Sequence, residues 1–122
     1  LSGDHIYSHS FSREAVLQEL LEELAGEGYF REAICDISHS AQRVSLRIID
    51  PFCIRLLEIG EKQGKEITES EASAVLRGML AGVFSALTGK EIDIKECRMD
   101  REESVAVCDL PQEVYEEMYK PK

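Results

Sequence analysis

Apolar residues recur at intervals of three and four from Arg13 to Ala25. Val16, Leu17, Leu20, Leu21 and Leu24 share one stripe, while Glu14, Glu19, Glu22 and Glu23 fall mainly on the other faces. The pattern predicts an amphipathic helix, capped by Ser12 and ended near Gly26 and Gly28. The period then drops to two. Ala33, Cys35 and Ile37 alternate with other residues, as do Val44, Leu46 and Ile48, so strands are predicted over Glu32 to Ser38 and Arg43 to Ile49. They pair as a hairpin around Ser40 to Gln42. Asp50-Pro51 supplies a cap-type residue and the imino acid favoured in a first helical turn. A short buried helix with Cys53, Ile54, Leu56, Leu57 and Ile59 should follow, ending at Gly60. After the polar stretch Glu61 to Glu66, Thr68-Glu69-Ser70-Glu71 fits a capping box and starts a helix that runs to about Leu87, with Thr88-Gly89 as its exit. Ile92 and Ile94, then Val105 and Val107, predict two more strands around the charged segment Arg98 to Glu103. Asp109, Pro111 and the run Val114, Tyr115, Met118, Tyr119 predict a short C-terminal helix.

The order helix, hairpin, helices, hairpin, helix implies an α+β fold, an antiparallel sheet of two hairpins packed against helices. Residues 1–10 read as an N-terminal arm and residues 11–122 as a single domain, since 122 residues leave no room for a second one. With 14 basic and 24 acidic residues the chain carries a net charge of −10, which repels a phosphate backbone or an anionic membrane. Nucleic acid is therefore excluded as a partner of this domain. No apolar stretch approaches the roughly 20 residues of a membrane span, and the reading is a soluble, cytoplasmic protein.

The most informative feature is a row of small residues, Ala74, Gly78, Gly82 and Ala86, spaced by four along the predicted helix that starts at the capping box. Two glycines inside a helix cost about 1 kcal/mol each relative to alanine, so something must compensate by close approach. Packing against another helix or the sheet, a cavity wall and a dimer seam all satisfy that demand. Met79, Leu80, Val83, Phe84 and Leu87 flank the row, so an admitted ligand would meet apolar atoms, and the helix is expected to be buried on most sides. Other chemistry is sparse. His5 and His9, with Asp4, would form a metal site only if the arm were helical, and His39 reads as a solvated turn residue. Ser38-His39-Ser40 lacks the glycine-flanked elbow of a serine nucleophile, and Asp36 and Asp50 read as caps or surface charge. The four cysteines, Cys35, Cys53, Cys97 and Cys108, contain no CxxC pair, and free thiols are expected.

The segment from Leu76 to Cys97, with its glycine-rich helix, glycine exit, Ile-Asp-Ile alternation and Glu96-Cys97 end, resembles the 4-vinyl reductase domain. The resemblance is best from Leu76 to Val107. It implies a small α+β domain that binds hydrophobic or aromatic molecules, acts as a sensor or carrier without catalysis, and forms a homodimer. The family is related in fold to transport-protein-particle subunits of vesicle-tethering complexes, so a protein–protein interaction module is the alternative. A zinc-binding protein is the other. Some family members bind metal through two cysteines of a short hairpin, but here the second position is Val105, the turn Asp100-Arg101-Glu102-Glu103 has no glycine, and the other cysteine is Cys108. A turn centred between Glu102 and Glu103 would set Cys97 opposite Cys108, whereas a turn one residue earlier would misalign them.

The resulting expectation is an apolar pocket between the Ser70 to Leu87 helix and the sheet, lined by Gly78, Met79, Gly82 and Phe84, with the Gly60 to Glu69 loop as its cover. A small hydrophobic molecule is the expected ligand and a second copy of the chain the expected partner. No catalytic residue and no cofactor is assigned. Zinc would enter only through Cys97 and Cys108.

Overall fold

The computed structural model describes residues 10–95 and 97–119. In chain order these form α1 (Ser10–Gly26), β1 (Glu32–Ser38), β2 (Arg43–Ile49), α2 (Phe52–Lys62), α3 (Glu69–Thr88), β3 (Cys97–Asp100), β4 (Val105–Asp109) and α4 (Gln112–Met118). The four strands make one antiparallel sheet in the order β1-β2-β4-β3, as an α+β fold requires. The first hairpin has the bounds its period of two predicts. Ala33, Cys35 and Ile37 lie opposite Ile48, Leu46 and Val44, which puts the apolar positions of both strands on one face.

Two differences from the sequence reading concern helix and strand ends. Helix α1 begins at Ser10, so Ser12 lies within it rather than capping it, and the arm with His5 and His9 falls outside the described residues. Ile92 and Ile94 do not form a strand; the third strand starts at Cys97. Their alternation is real, because both are buried while Glu91, Asp93 and Lys95 are exposed. The extended segment is anchored through Ser85, whose Oγ accepts from Ile92 N at 2.9 Å, and runs along the helix layer with no ladder partner.

One face of the sheet carries the core. Leu46, Ile48, Ala106 and Cys108 pack with Leu76, Leu80 and Phe84 of α3, Leu17 and Leu21 of α1, and Val114 and Tyr115 of α4. Burial of each of the Leu, Ile, Val and Phe side chains among them contributes roughly 1.5–3 kcal/mol. Among the described residues no helix covers the opposite face. Its positions include Ile34, Arg47, Val107 and Arg98, which stand in one row by the register of the four strands.

Helix α3 starts as the sequence predicts. Glu71 N donates to Thr68 Oγ1 at 3.1 Å and Thr68 N donates to Glu71 Oε1 at 2.9 Å, the reciprocal bonds of a capping box. The helix ends on Gly89 in the left-handed region, at a φ of 74°.

Candidate functional site

The buried row of α3 is Ala72, Leu76, Leu80, Phe84 and Thr88. The small row Ala74, Gly78, Gly82 and Ala86 is offset from it by two residues, which is about 200° around the helix, and all four positions are exposed. The expected placement is therefore corrected. Gly78 and Gly82 do not face the sheet, and a Cβ built on either would meet nothing within 4 Å. Gly60 provides the contrast, since its Cβ would lie 2.7 Å from Ile67 Cδ1, a close approach that accounts for the glycine. Phe84 is fully buried and belongs to the core, while Met79 is half-buried at the edge of the outward strip. The four predicted lining residues thus split between two sides of one helix, and the side of α3 toward the sheet carries the core residues Leu76, Leu80 and Phe84.

The outer face of α3 is unusual for a surface helix. From Ala72 to Thr88 its exposed positions are Ala74, Val75, Gly78, Gly82 and Ala86, none with a polar side chain, and Val75 is 55% exposed. Arg77 is the one charged residue in that span, and its guanidinium is folded back. It donates to Ser70 O at 2.7 Å, Ser73 Oγ at 3.0 Å and Lys95 O at 3.2 Å. Beside α3, helix α2 exposes Leu56 and Ile59.

The expectation of four free thiols is overturned. Cys97 and Cys108 form a disulfide, their Cα atoms 4.3 Å apart in the close spacing of an antiparallel pair. The turn spans 101–104, so it centres between Glu102 and Glu103 and sets the two cysteines opposite each other. With both sulfurs bonded to one another, the zinc alternative loses its two thiolate ligands. Among the described residues no three His, Cys, Asp or Glu side chains gather closely enough to hold a metal ion. Cys35 and Cys53 remain free. Burial pushes both thiols above their ordinary range, partly offset at Cys35 by the Tyr119 hydroxyl 3.6 Å away. The same burial raises the Tyr119 phenol, with the contact to Cys35 adding to the rise.

His39 is not a free turn residue. Its Nδ1 lies 2.9 Å from the Tyr115 hydroxyl, so the β1–β2 turn is tied to α4. Ser38 and Ser40 pair with each other at 3.4 Å and have no link to a base among the described residues, and Asp50 forms an ion pair with Arg31 at 3.0 Å. The sequence reading also passed over Arg31, Arg55 and Arg101, which come from three separated segments and share one cleft. No spacing rule links them along the chain.

The chain matches no protein-family model, no curated protein and no solved structure. Among the described residues no helix is long and apolar enough to cross a membrane.

Proposed function

We propose that this chain is a non-catalytic interaction module that pairs with a second copy of itself through the outer face of α3. One observation carries the reading: every exposed position of α3 between Ala72 and Thr88 is apolar or glycine, in a chain of which 31% is charged. Two glycines at open positions cost the isolated helix about 1 kcal/mol each with no compensation from the described residues, and a crossing helix supplies that compensation. A row spaced by four is the ridge of the commonest helix crossing, near −50°, and side chains this small allow close approach. A net charge of −10 also restricts where two copies can meet. The uncharged face of α3 lets them do so without opposing carboxylates.

A second reading, a small hydrophobic ligand, is favoured by half-buried Met79 and Val83 beside the glycine strip. Two facing strips would enclose an apolar slot at Gly78 and Gly82. The likeness of Leu76 to Val107 to the 4-vinyl reductase domain supports both the dimer and the ligand, and we regard the chain as a divergent relative. We place the module in the cytoplasm on the lack of a basic and apolar leader pattern in these 122 residues, while its Cys97–Cys108 disulfide is the feature more common in oxidising compartments.

Sedimentation equilibrium at about 10–100 μM tests the dimer. The wild type should have twice the chain mass, and Gly82→Glu and Val75→Glu should each be monomeric with unchanged far-UV circular dichroism. A monomeric wild type overturns the proposal. N-phenyl-1-naphthylamine, an uncharged apolar fluorophore, tests the slot: its emission should rise with the wild type and not with Gly82→Glu.

A further inference from the structure

Three connections meet at one end of the sheet. The α1–β1 link supplies Phe30 and Arg31, the β2–α2 link supplies Asp50 and Pro51, and the β3–β4 turn supplies Arg101 and Ser104. With Ile54 and Arg55 of α2 they enclose a cleft of about 470 Å³, within the size range of small-molecule sites. Backbone bonds fix its walls: Asp50 N donates to Ser104 O at 2.7 Å, Phe52 N to Tyr29 O at 2.9 Å and Arg31 N to Ile49 O at 2.8 Å. Asp50 and Ser104 both hold left-handed backbone, with φ of 53° and 55°, a strain that the surrounding bonds must sustain. The cleft is thus preformed.

Its chemistry divides cleanly. Phe30, Pro51 and Ile54 form an apolar floor. Two of the three guanidiniums are already committed, Arg31 to Asp50 at 3.0 Å and Arg101 to both oxygens of Glu61 at 2.8 and 2.9 Å. The guanidinium of Arg55 has no hydrogen bond or ion pair to any described residue. With Arg31 paired to Asp50 and Arg101 to Glu61, the carboxylate of Glu58 balances Arg55, so the cleft is neutral overall in a chain of −10 and Arg55 is its one uncommitted guanidinium among the described residues.

From this geometry we infer that the cleft binds a small monocarboxylate with an apolar body, its carboxylate on Arg55 and its body on Phe30, Pro51 and Ile54. A guanidinium matches a carboxylate by two parallel N–H donors. A dianion such as phosphate would suffer doubled repulsion from Asp50 and Glu58 and gain nothing from the floor. The site is separate from the outer face of α3, and binding here does not require a dimer.

Benzoate is the probe, followed by amide chemical shifts in two-dimensional ¹⁵N spectra, with benzamide and inorganic phosphate as controls. Benzoate should bind with a dissociation constant on the order of 1 mM and shift the amides of Arg31, Arg55 and Ser104. Arg55→Gln should weaken it at least about tenfold, a loss of one charge-assisted bidentate contact, with an unchanged melting temperature. Arg47→Gln, on the open sheet face, should leave binding as in the wild type. The inference is overturned by absent or non-saturating shifts, by equal binding of benzamide or phosphate, or by full retention in Arg55→Gln.

Discussion

Cys97 and Cys108 stand directly opposite each other on β3 and β4, and the bond between them closes the loop that contains the hairpin turn. Strand β3 has four residues and lies at the sheet edge, so this bond and its pairing with β4 hold it in place. By the loop-entropy account, a closed loop this short limits the unfolded chain by about 3 kcal/mol. Cys97→Ala/Cys108→Ala should lose roughly that amount in urea denaturation. Denatured, non-reduced protein should show two free thiols per chain, Cys35 and Cys53. A count of four would mean that the bond does not form in solution.

The open side of α3 makes an unusual stability prediction. Gly78→Ala and Gly82→Ala should each raise the stability of the monomer by about 1 kcal/mol, since the added methyl meets nothing and the helix gains propensity. Thermal melts at concentrations below dimer formation measure the gain. Overpacking at either position, expected if the glycines faced the sheet, would give a loss.

Phe84→Ala should act oppositely. The side chain is fully buried against the sheet, so its removal leaves a cavity and should cost about 4 kcal/mol, seen as a lower urea midpoint. This residue supports the fold rather than a ligand.

The start of α3 carries a pH dependence. Backbone and side-chain bonds from Thr68 hold the Glu71 carboxyl below its ordinary value of 4.5. A carboxylate lowered on folding stabilises above the unfolded value, and that contribution disappears as the pH falls through the lowered one. Stability should therefore drop on acidification below about 4.5 partly through Glu71, and Glu71→Gln should flatten this component in denaturation profiles from pH 6 to 3. Thr68→Ala should cost about 1 kcal/mol at neutral pH through the lost cap.

The first hairpin was legible because Ala33, Cys35, Ile37 and Val44, Leu46, Ile48 alternate over strands that pair with each other, so period and partner agree. Thr68 and Glu71 marked the start of α3 by side-chain chemistry that acts locally. The orientation of α3 was not legible, because two rows spaced by four run along it. The large row Leu76, Leu80, Phe84 turns inward, and the small row was assigned to the interior only because glycine needs a reason. Ile92 and Ile94 misled for a related cause: alternation reports alternate burial, and here the buried side rests on helices without a neighbouring strand. The Arg31, Arg55 and Arg101 cleft left no trace in the sequence, since it exists only where three connections converge. The disulfide hinged on the centre of one turn, which alternation in β4 alone does not set.

Helix α4, only seven residues long, reaches back to the oldest parts of the chain. Arg13 Nη1 donates to the carbonyl of Glu117 across 104 residues, Cys35 meets Tyr119 across 84, His39 meets Tyr115 across 76 and Gln112 meets Gln42 across 70. Lys90 also pairs with Glu117 at 3.1 Å. During synthesis α1, the first hairpin and α3 all emerge before any of these partners exists. The bonds that tie α1 and the first hairpin to α4 can form only once translation has passed Tyr119. Contacts so distant in sequence slow folding, and a ribosome-bound chain halted before Pro111 should remain open to protease at α1 while the β1–β2 hairpin is already formed.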